Sequence, residues 1–148
     1  KDDFLNALHE IYSKIENDND FEHNKEDSTV SVVTKDKNEK IKQIIYFDFD
    51  KSKLSEISIK KIKNFIDKHE KNINKYLIVG HTDTKGTKEY NYNLSIERSK
   101  KVREILINLG IVSTLIYILG EGENKLKVIT NDDVAHPANR RAEISIIN

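Results

Sequence analysis

Apolar residues at Phe4, Leu5, Leu8, Ile11, Tyr12 and Ile15 follow the spacing of one helical face over about three turns. The stretch "ENDNDFEHNKED" that follows has no periodicity and reads as a polar linker. Residues 1–28 are therefore expected to hold a short N-terminal helix and a linker, with the main domain covering 29–148. From Thr29 the pattern turns to β. "TVSVV" and "IKQIIYF" are rich in β-branched and aromatic residues and are joined by the polar "TKDKNEK". Next, "DKSKLSEISIKKIKNFIDKHEK" sets Leu54, Ile57, Ile62, Phe65 and Ile66 at helical spacing, with Ser52 or Ser55 able to cap.

"YLIV" is a short apolar strand that stops at Gly80 and is expected to be covered on both faces. A second long helix is expected from about Asn91 to Leu109, ended by Gly110 in the left-handed conformation. "TLIYIL" and "RAEISII" supply the last two strands, separated by the long loop "GEGENKLKVITNDDVAHPAN". The order from Thr29 is thus β–β–α–β–α–β–β. Alternation of this kind predicts an α+β fold, one mixed sheet with two helices on a face, in which the helical crossovers make some strands parallel.

Composition narrows the function classes. Charged residues make up 34% of the chain, but 25 basic and 25 acidic side chains cancel. Nucleic-acid binders normally carry a basic excess, so that class is set aside. An aromatic content of 7% with no Trp offers little for base stacking. Without cysteine there is neither a disulfide nor a thiolate metal site. No apolar run approaches the roughly 20 residues of a membrane-spanning helix.

The chemistry gathers in "GHTDTKGTKEYNYNLSIERS". Leu94, Arg98, Val102, Ile105 or Leu106, and Leu109 recur at steps of three or four, so Arg98 lies on the apolar stripe of the second helix. A guanidinium there must be paired or hydrogen-bonded, because an unpaired buried charge costs several kcal/mol. Asp83 leaves the preceding strand at its C-terminal end, the edge of a helix-covered sheet where ligands collect. Two readings stay open at this point. Asp83 and Arg98 can form an ordinary salt bridge, or they can form the two walls of a pocket for a zwitterion. Asn91 and the first amides of the helix would add donors. His81 has no partner at metal-ligand spacing and reads as structural. There is no G-x-S-x-G elbow and no glycine-rich phosphate loop, so an enzyme is the weak hypothesis and no cofactor or metal is expected.

Taken in order, "IIYFDFDKSKLS", "YLIVGHTDTKGTKEYNYNLSIERSKKVREIL", "GEGE" and "NRRAEISI" resemble the OmpA-like C-terminal peptidoglycan-binding domain, the family of OmpA, the lipoprotein Pal and the flagellar stator protein MotB. The resemblance runs from about Val30 to Ile147. It implies a β–α–β–α–β sandwich with an added N-terminal strand, binding peptidoglycan non-covalently through the diamino acid of its stem peptide, usually diaminopimelate. On that resemblance Asp83 takes the ligand's ammonium and Arg98 its carboxylate. Asn91 supports them, Arg140 is the first arginine of the N-R-R motif, Asp48 and its neighbours line the pocket largely through backbone groups, and Leu94 forms an apolar wall. Lys85 stands where some relatives carry a small polar residue, and is expected to bear on which stem peptide is preferred. The implied role is an anchor between the outer membrane or envelope and the wall, in the periplasm. Alternatives are a MotB-like stator anchor and an envelope protein–protein module without wall binding. Envelope protein partners and a homodimer are compatible with either.

Overall fold

A computed structural model describes residues 41–69 and 74–147, all within one of the chain's two compact units, Lys40–Asn148. The expected helix and linker of 1–28 and the strand "TVSVV" lie outside the described residues. Within them the order is β1 (Lys42–Tyr46), α1 (Glu56–Lys68), β2 (Lys75–His81), α2 (Lys88–Asn108), β3 (Ile116–Gly120) and β4 (Arg141–Ile147). One-turn 3-10 helices at Ser113–Leu115 and Pro137–Asn139 precede the last two strands.

The four strands form one mixed sheet in the order β1-β4-β2-β3. β2 and β3 are parallel, while β4 runs antiparallel to both β1 and β2. It follows that β1, β2 and β3 all end at one edge of the sheet, and β4 begins there. The loops after three strands meet at that edge, where the candidate site is built.

Side-chain alternation decides which face the helices take. Ile45, Tyr76, Ile78, Ile116, Ala142 and Ile144 point to one side and enclose a core with Ile62, Phe65 and Ile66 of α1 and Val102 and Leu106 of α2. Ser55 caps α1, its hydroxyl accepting from the Ser58 amide at 3.1 Å. Glu56 in the first turn and Lys68 in the last complement the helix dipole. Ile57 was expected on the buried stripe but is 70% exposed. The buried positions Ser58, Ile62, Phe65 and Ile66 fix the stripe, and residue 57 sits about 100° away from Ser58 around the axis.

α2 begins three residues before the expected Asn91, because Thr87 provides the cap, accepting from the Tyr90 amide at 3.1 Å. Its end follows the expectation. Gly110 has φ 98°, its amide bonds the Ile107 carbonyl, and the Ile111 amide bonds that of Leu106. That pair of bonds is a Schellman motif, with Ile111 buried as its apolar contact.

The N-terminal half of α2 lies almost on the backbone of the sheet. A Cβ at Gly80 would stand 1.8 Å from the Ser95 carbonyl oxygen, so no residue but glycine fits there. The buried faces of this half are small: the Ser95 hydroxyl accepts from the Gly122 amide at 2.9 Å, and the Ser99 hydroxyl donates to the Leu119 carbonyl at 2.7 Å. This close approach delivers Asn91 and Arg98 to the loop edge.

Candidate functional site

Arg98 is 0% exposed, the largest fully buried side chain described. Its Nε donates to the Lys51 carbonyl at 2.9 Å, one terminal nitrogen to the His81 carbonyl at 2.8 Å and the other to the Asp48 carbonyl at 3.3 Å. Its guanidinium carbon also lies 5.1 Å from the centre of the Phe47 ring, a cation–π contact. Burial pulls its pKa down to about 10, with the nearby Asp83 carboxylate opposing that shift. The group stays charged at neutral pH. Three of its five N–H donors hold backbone, which leaves two for another partner.

Asp83 is 4% exposed. One oxygen accepts from the Lys85 amide at 3.2 Å, and the other accepts from the His136 amide at 3.1 Å and from Arg140 at 3.4 Å. Of the two readings left open, the direct Asp83–Arg98 salt bridge does not form: the ion pair of Asp83 is with Arg140. The physical reason is the carbonyl cluster. The His81 carbonyl at the end of β2 and the Asp48 and Lys51 carbonyls on the β1–α1 loop take up the Arg98 fork, whereas Arg140, just before β4 at the same edge, faces Asp83 directly. Arg140 Nε also donates to the Phe47 carbonyl at 3.1 Å.

Asn91 works on the turn after β2. Its amide nitrogen donates to the Asp83 carbonyl at 3.2 Å and to the Lys85 carbonyl at 3.0 Å. The long β3–β4 loop is tied down on the same turn. Thr84 Oγ1 donates to the Asn131 carbonyl at 2.7 Å and accepts from the Val134 amide at 3.0 Å. Asp133, at φ 58°, accepts from the Gly86 amide at 3.1 Å and from Lys85 Nζ at 3.3 Å.

These loops enclose a cavity of about 420 Å³. Asp83, Asn91, Leu94, Arg98 and Arg140 line it, five of the six residues singled out in the sequence. Asp48 does not. It lines a neighbouring cleft of about 380 Å³ that shares Arg140 as a wall, and it meets the main site only through its carbonyl. Phe49, Asp50, Tyr90 and Asp133 also line the main cavity. Phe49 and Asp50 fall among the neighbours of Asp48 expected at the pocket, whereas Tyr90 and Asp133 were missed. Tyr90 had a signal in its place beside Asn91, while Asp133 had none, because its approach to Lys85 spans 48 positions of chain.

His81 lends its carbonyl to Arg98 and turns its ring to the far face of the sheet. There Nε2 is 3.5 Å from Glu143, which also binds Lys42 at 2.6 Å and Arg141 at 2.7 Å. Burial first, and then Arg141, push the His81 pKa down to about 3, so the ring is neutral near pH 7. Among the described residues no cluster of three His, Cys, Asp or Glu side chains is placed to hold a metal. No described helix is long and apolar enough to cross a membrane.

A cavity with one buried carboxylate and two guanidinium groups, at the loop edge of a β1-β4-β2-β3 sheet, can be compared with known proteins. The OmpA family matches residues 46–140. The chain belongs to the OmpA family. Outer membrane porin F of Pseudomonas aeruginosa is 36% identical over 104 residues, covering 69% of this chain and 30% of the porin. The peptidoglycan-associated lipoprotein of Haemophilus influenzae is 31% identical over 106 residues, covering 68% of this chain and 67% of the lipoprotein. The chain thus spans under a third of the porin's length. Neither relative is named for a catalysed reaction. Among solved structures, the peptidoglycan-associated lipoprotein from Burkholderia pseudomallei superposes with a TM-score of 0.62 at 28% identity, covering 71% of this chain and 90% of that one. The C-terminal domain of Helicobacter pylori MotB has the same TM-score at 18% identity, covering 72% of this chain and 84% of that one, a likeness of fold alone.

Proposed function

We propose that this cavity binds the stem peptide of peptidoglycan through its diamino acid, diaminopimelate, and that the chain anchors the outer membrane or envelope to the wall from the periplasm. One observation carries the reading. A buried carboxylate, Asp83, and two guanidinium groups, Arg98 and Arg140, line one cavity, and the backbone contacts of Arg98 use three of its five N–H donors. The ammonium of the free end of the diamino acid goes to Asp83, and its carboxylate to the two remaining donors of Arg98 and to Arg140. Arginine suits that carboxylate because its fork can bind both oxygens. Asn91 holds the turn that aims Asp83, and Leu94 packs on the aliphatic stem of the ligand. Membership of the OmpA family and the names of the two lipoprotein relatives support the reading.

Each charge-assisted contact contributes on the order of 1.5–3 kcal/mol. A modest affinity per site suffices, because the wall presents many copies of the ligand to many copies of the anchor. The test is co-sedimentation with purified sacculi of the wild type, Asp83→Asn and Arg140→Gln. Both variants are expected to stay in the supernatant while keeping a native circular dichroism spectrum. Equal pelleting of all three would overturn the reading.

A further inference from the structure

The cavity holds a contact that the zwitterion reading leaves unused. The Tyr90 hydroxyl, from the first turn of α2, donates to the Asp50 carboxylate on the β1–α1 loop. Both residues line the cavity beside Arg98. Neither is needed for the fold, since Tyr90 is 52% exposed and Asp50 also faces solvent. Asp50 is held at φ 56°, a left-handed conformation that asparagine and aspartate tolerate better than most residues. The Asp50 carboxylate is among the charges that act on Arg98. A protein carboxylate therefore already sits at the cation side of the cavity, bonded to a hydroxyl that points into it.

Resting on the stem-peptide reading above, we propose that Asp50 and the ligand's carboxylate compete for one donor, the Tyr90 hydroxyl beside Arg98. Tyr90 is then a further ligand-binding residue, and Asp50 an internal competitor that sets affinity. The chemistry favours this exchange. A phenolic O–H donates to a carboxylate as a short, charge-assisted bond, and it can do so to either carboxylate but not fully to both. Two carboxylates side by side repel, so the arriving one displaces Asp50 towards the solvent it already faces. Selectivity follows. A diamino acid that ends in an ammonium alone does not challenge Asp50, whereas one that ends in both charges must.

Two synthetic tripeptides of the stem separate these terms, one ending in diaminopimelate and one in lysine, which lacks the second carboxylate. Titration calorimetry with Asp50→Asn, which keeps the left-handed backbone, should show about tenfold tighter binding of the diaminopimelate peptide, with the lysine peptide unchanged. Tyr90→Phe keeps the ring and should weaken only the diaminopimelate peptide, also by about tenfold. If Asp50→Asn binds the diaminopimelate peptide no more tightly than the wild type, or if Tyr90→Phe affects both peptides alike, the competition is refuted while the stem-peptide reading stands. If neither peptide binds the wild type or Asp50→Asn, the stem-peptide reading falls and takes this inference with it.

Discussion

From Lys88 to Ser99, α2 buries Asn91, Ser95, Arg98 and Ser99, whereas from Lys100 to Asn108 the same helix buries Val102 and Leu106. One continuous helix thus has a polar buried half and an apolar buried half. The apolar half packs as any core helix does, against Ile111, Ile116 and the strands. The polar half replaces that burial with hydrogen bonds to backbone at the strand ends, and its small serines let it sit where glycines leave room. The difference shows how the molecule separates its tasks. Stability that depends on apolar area lies away from the loop edge, and the loop edge holds charges that only a satisfied polar network can keep buried.

Breaking one residue in each half is the strongest test of that division. Arg98→Ala strips donors from the Lys51, His81 and Asp48 carbonyls. It should cost about 3–5 kcal/mol of folding free energy and abolish wall binding in whatever fraction remains folded. Leu106→Ala, in the apolar half, should cost about 2–4 kcal/mol from lost burial and the cavity left behind. Its affinity for sacculi should not change once the protein is folded. Urea denaturation, paired with co-sedimentation, reads both quantities. A Leu106→Ala variant that is folded yet fails to pellet would erase the distinction between the halves.

The polar edge should also be the acid-sensitive one. His81 has a pKa of about 3 in the fold, below its ordinary value of 6.5, so the unfolded chain binds the proton more readily. Stability from this group is complete above about pH 6.5 and is lost as pH falls towards 3, by at most about 1.4 kcal/mol per pH unit. Glu143 is held down to about 2: burial, the largest influence, raises it, but His81, Lys42 and Arg141 together prevail. Its contribution is lost lower, as pH falls from its ordinary 4.5 towards 2. His81→Gln should therefore flatten the stability profile between pH 6.5 and 4.5 and also lessen the loss below 4.5, because His81 is among the groups that hold Glu143 down. Guanidinium melts at half-unit steps of pH would show it, and an unchanged slope would refute the assignment.

Legibility in the sequence follows the same boundary. The α2 C-terminus, β2 and β4 were readable because a period of hydrophobicity and a glycine stop are local signals. Arg98 was readable as buried for that reason, since it interrupts an apolar stripe. What it bonds was not readable. The carbonyls of Lys51 and Asp48 lie 47 and 50 positions away in the chain, and only the return of β1 beside β4 brings them to the helix. The same limit explains why the ion-pair partner of Asp83, Arg140, was not legible, being 57 positions distant. Ile57 failed for a smaller reason: α1 carries hydrophobic residues on two adjacent stripes, and the cap at Ser55 together with Ser58 and Ile62 decides which one turns inward.

Two local contacts at the start of the polar half set the scale of the remaining effects. Thr87→Ala removes the hydroxyl that accepts from the Tyr90 amide, and should cost about 1 kcal/mol, as N-cap losses do. Because the first turn of α2 also carries Tyr90 and Asn91, fraying there should weaken sacculus binding slightly as well. Lys85→Ala is the milder change. Its ion pair with Asp133 is 46% and 64% exposed on its two side chains, which places it among surface pairs worth about 0–1 kcal/mol. Asp133 keeps its bond from the Gly86 amide in that variant, so the loop should stay closed over the turn. A thermal melt within a degree or so of wild type is expected, falling no further than a surface substitution does. A larger loss would mean that Lys85, rather than the backbone of Gly86 and Thr84, fastens the β3–β4 loop to the site.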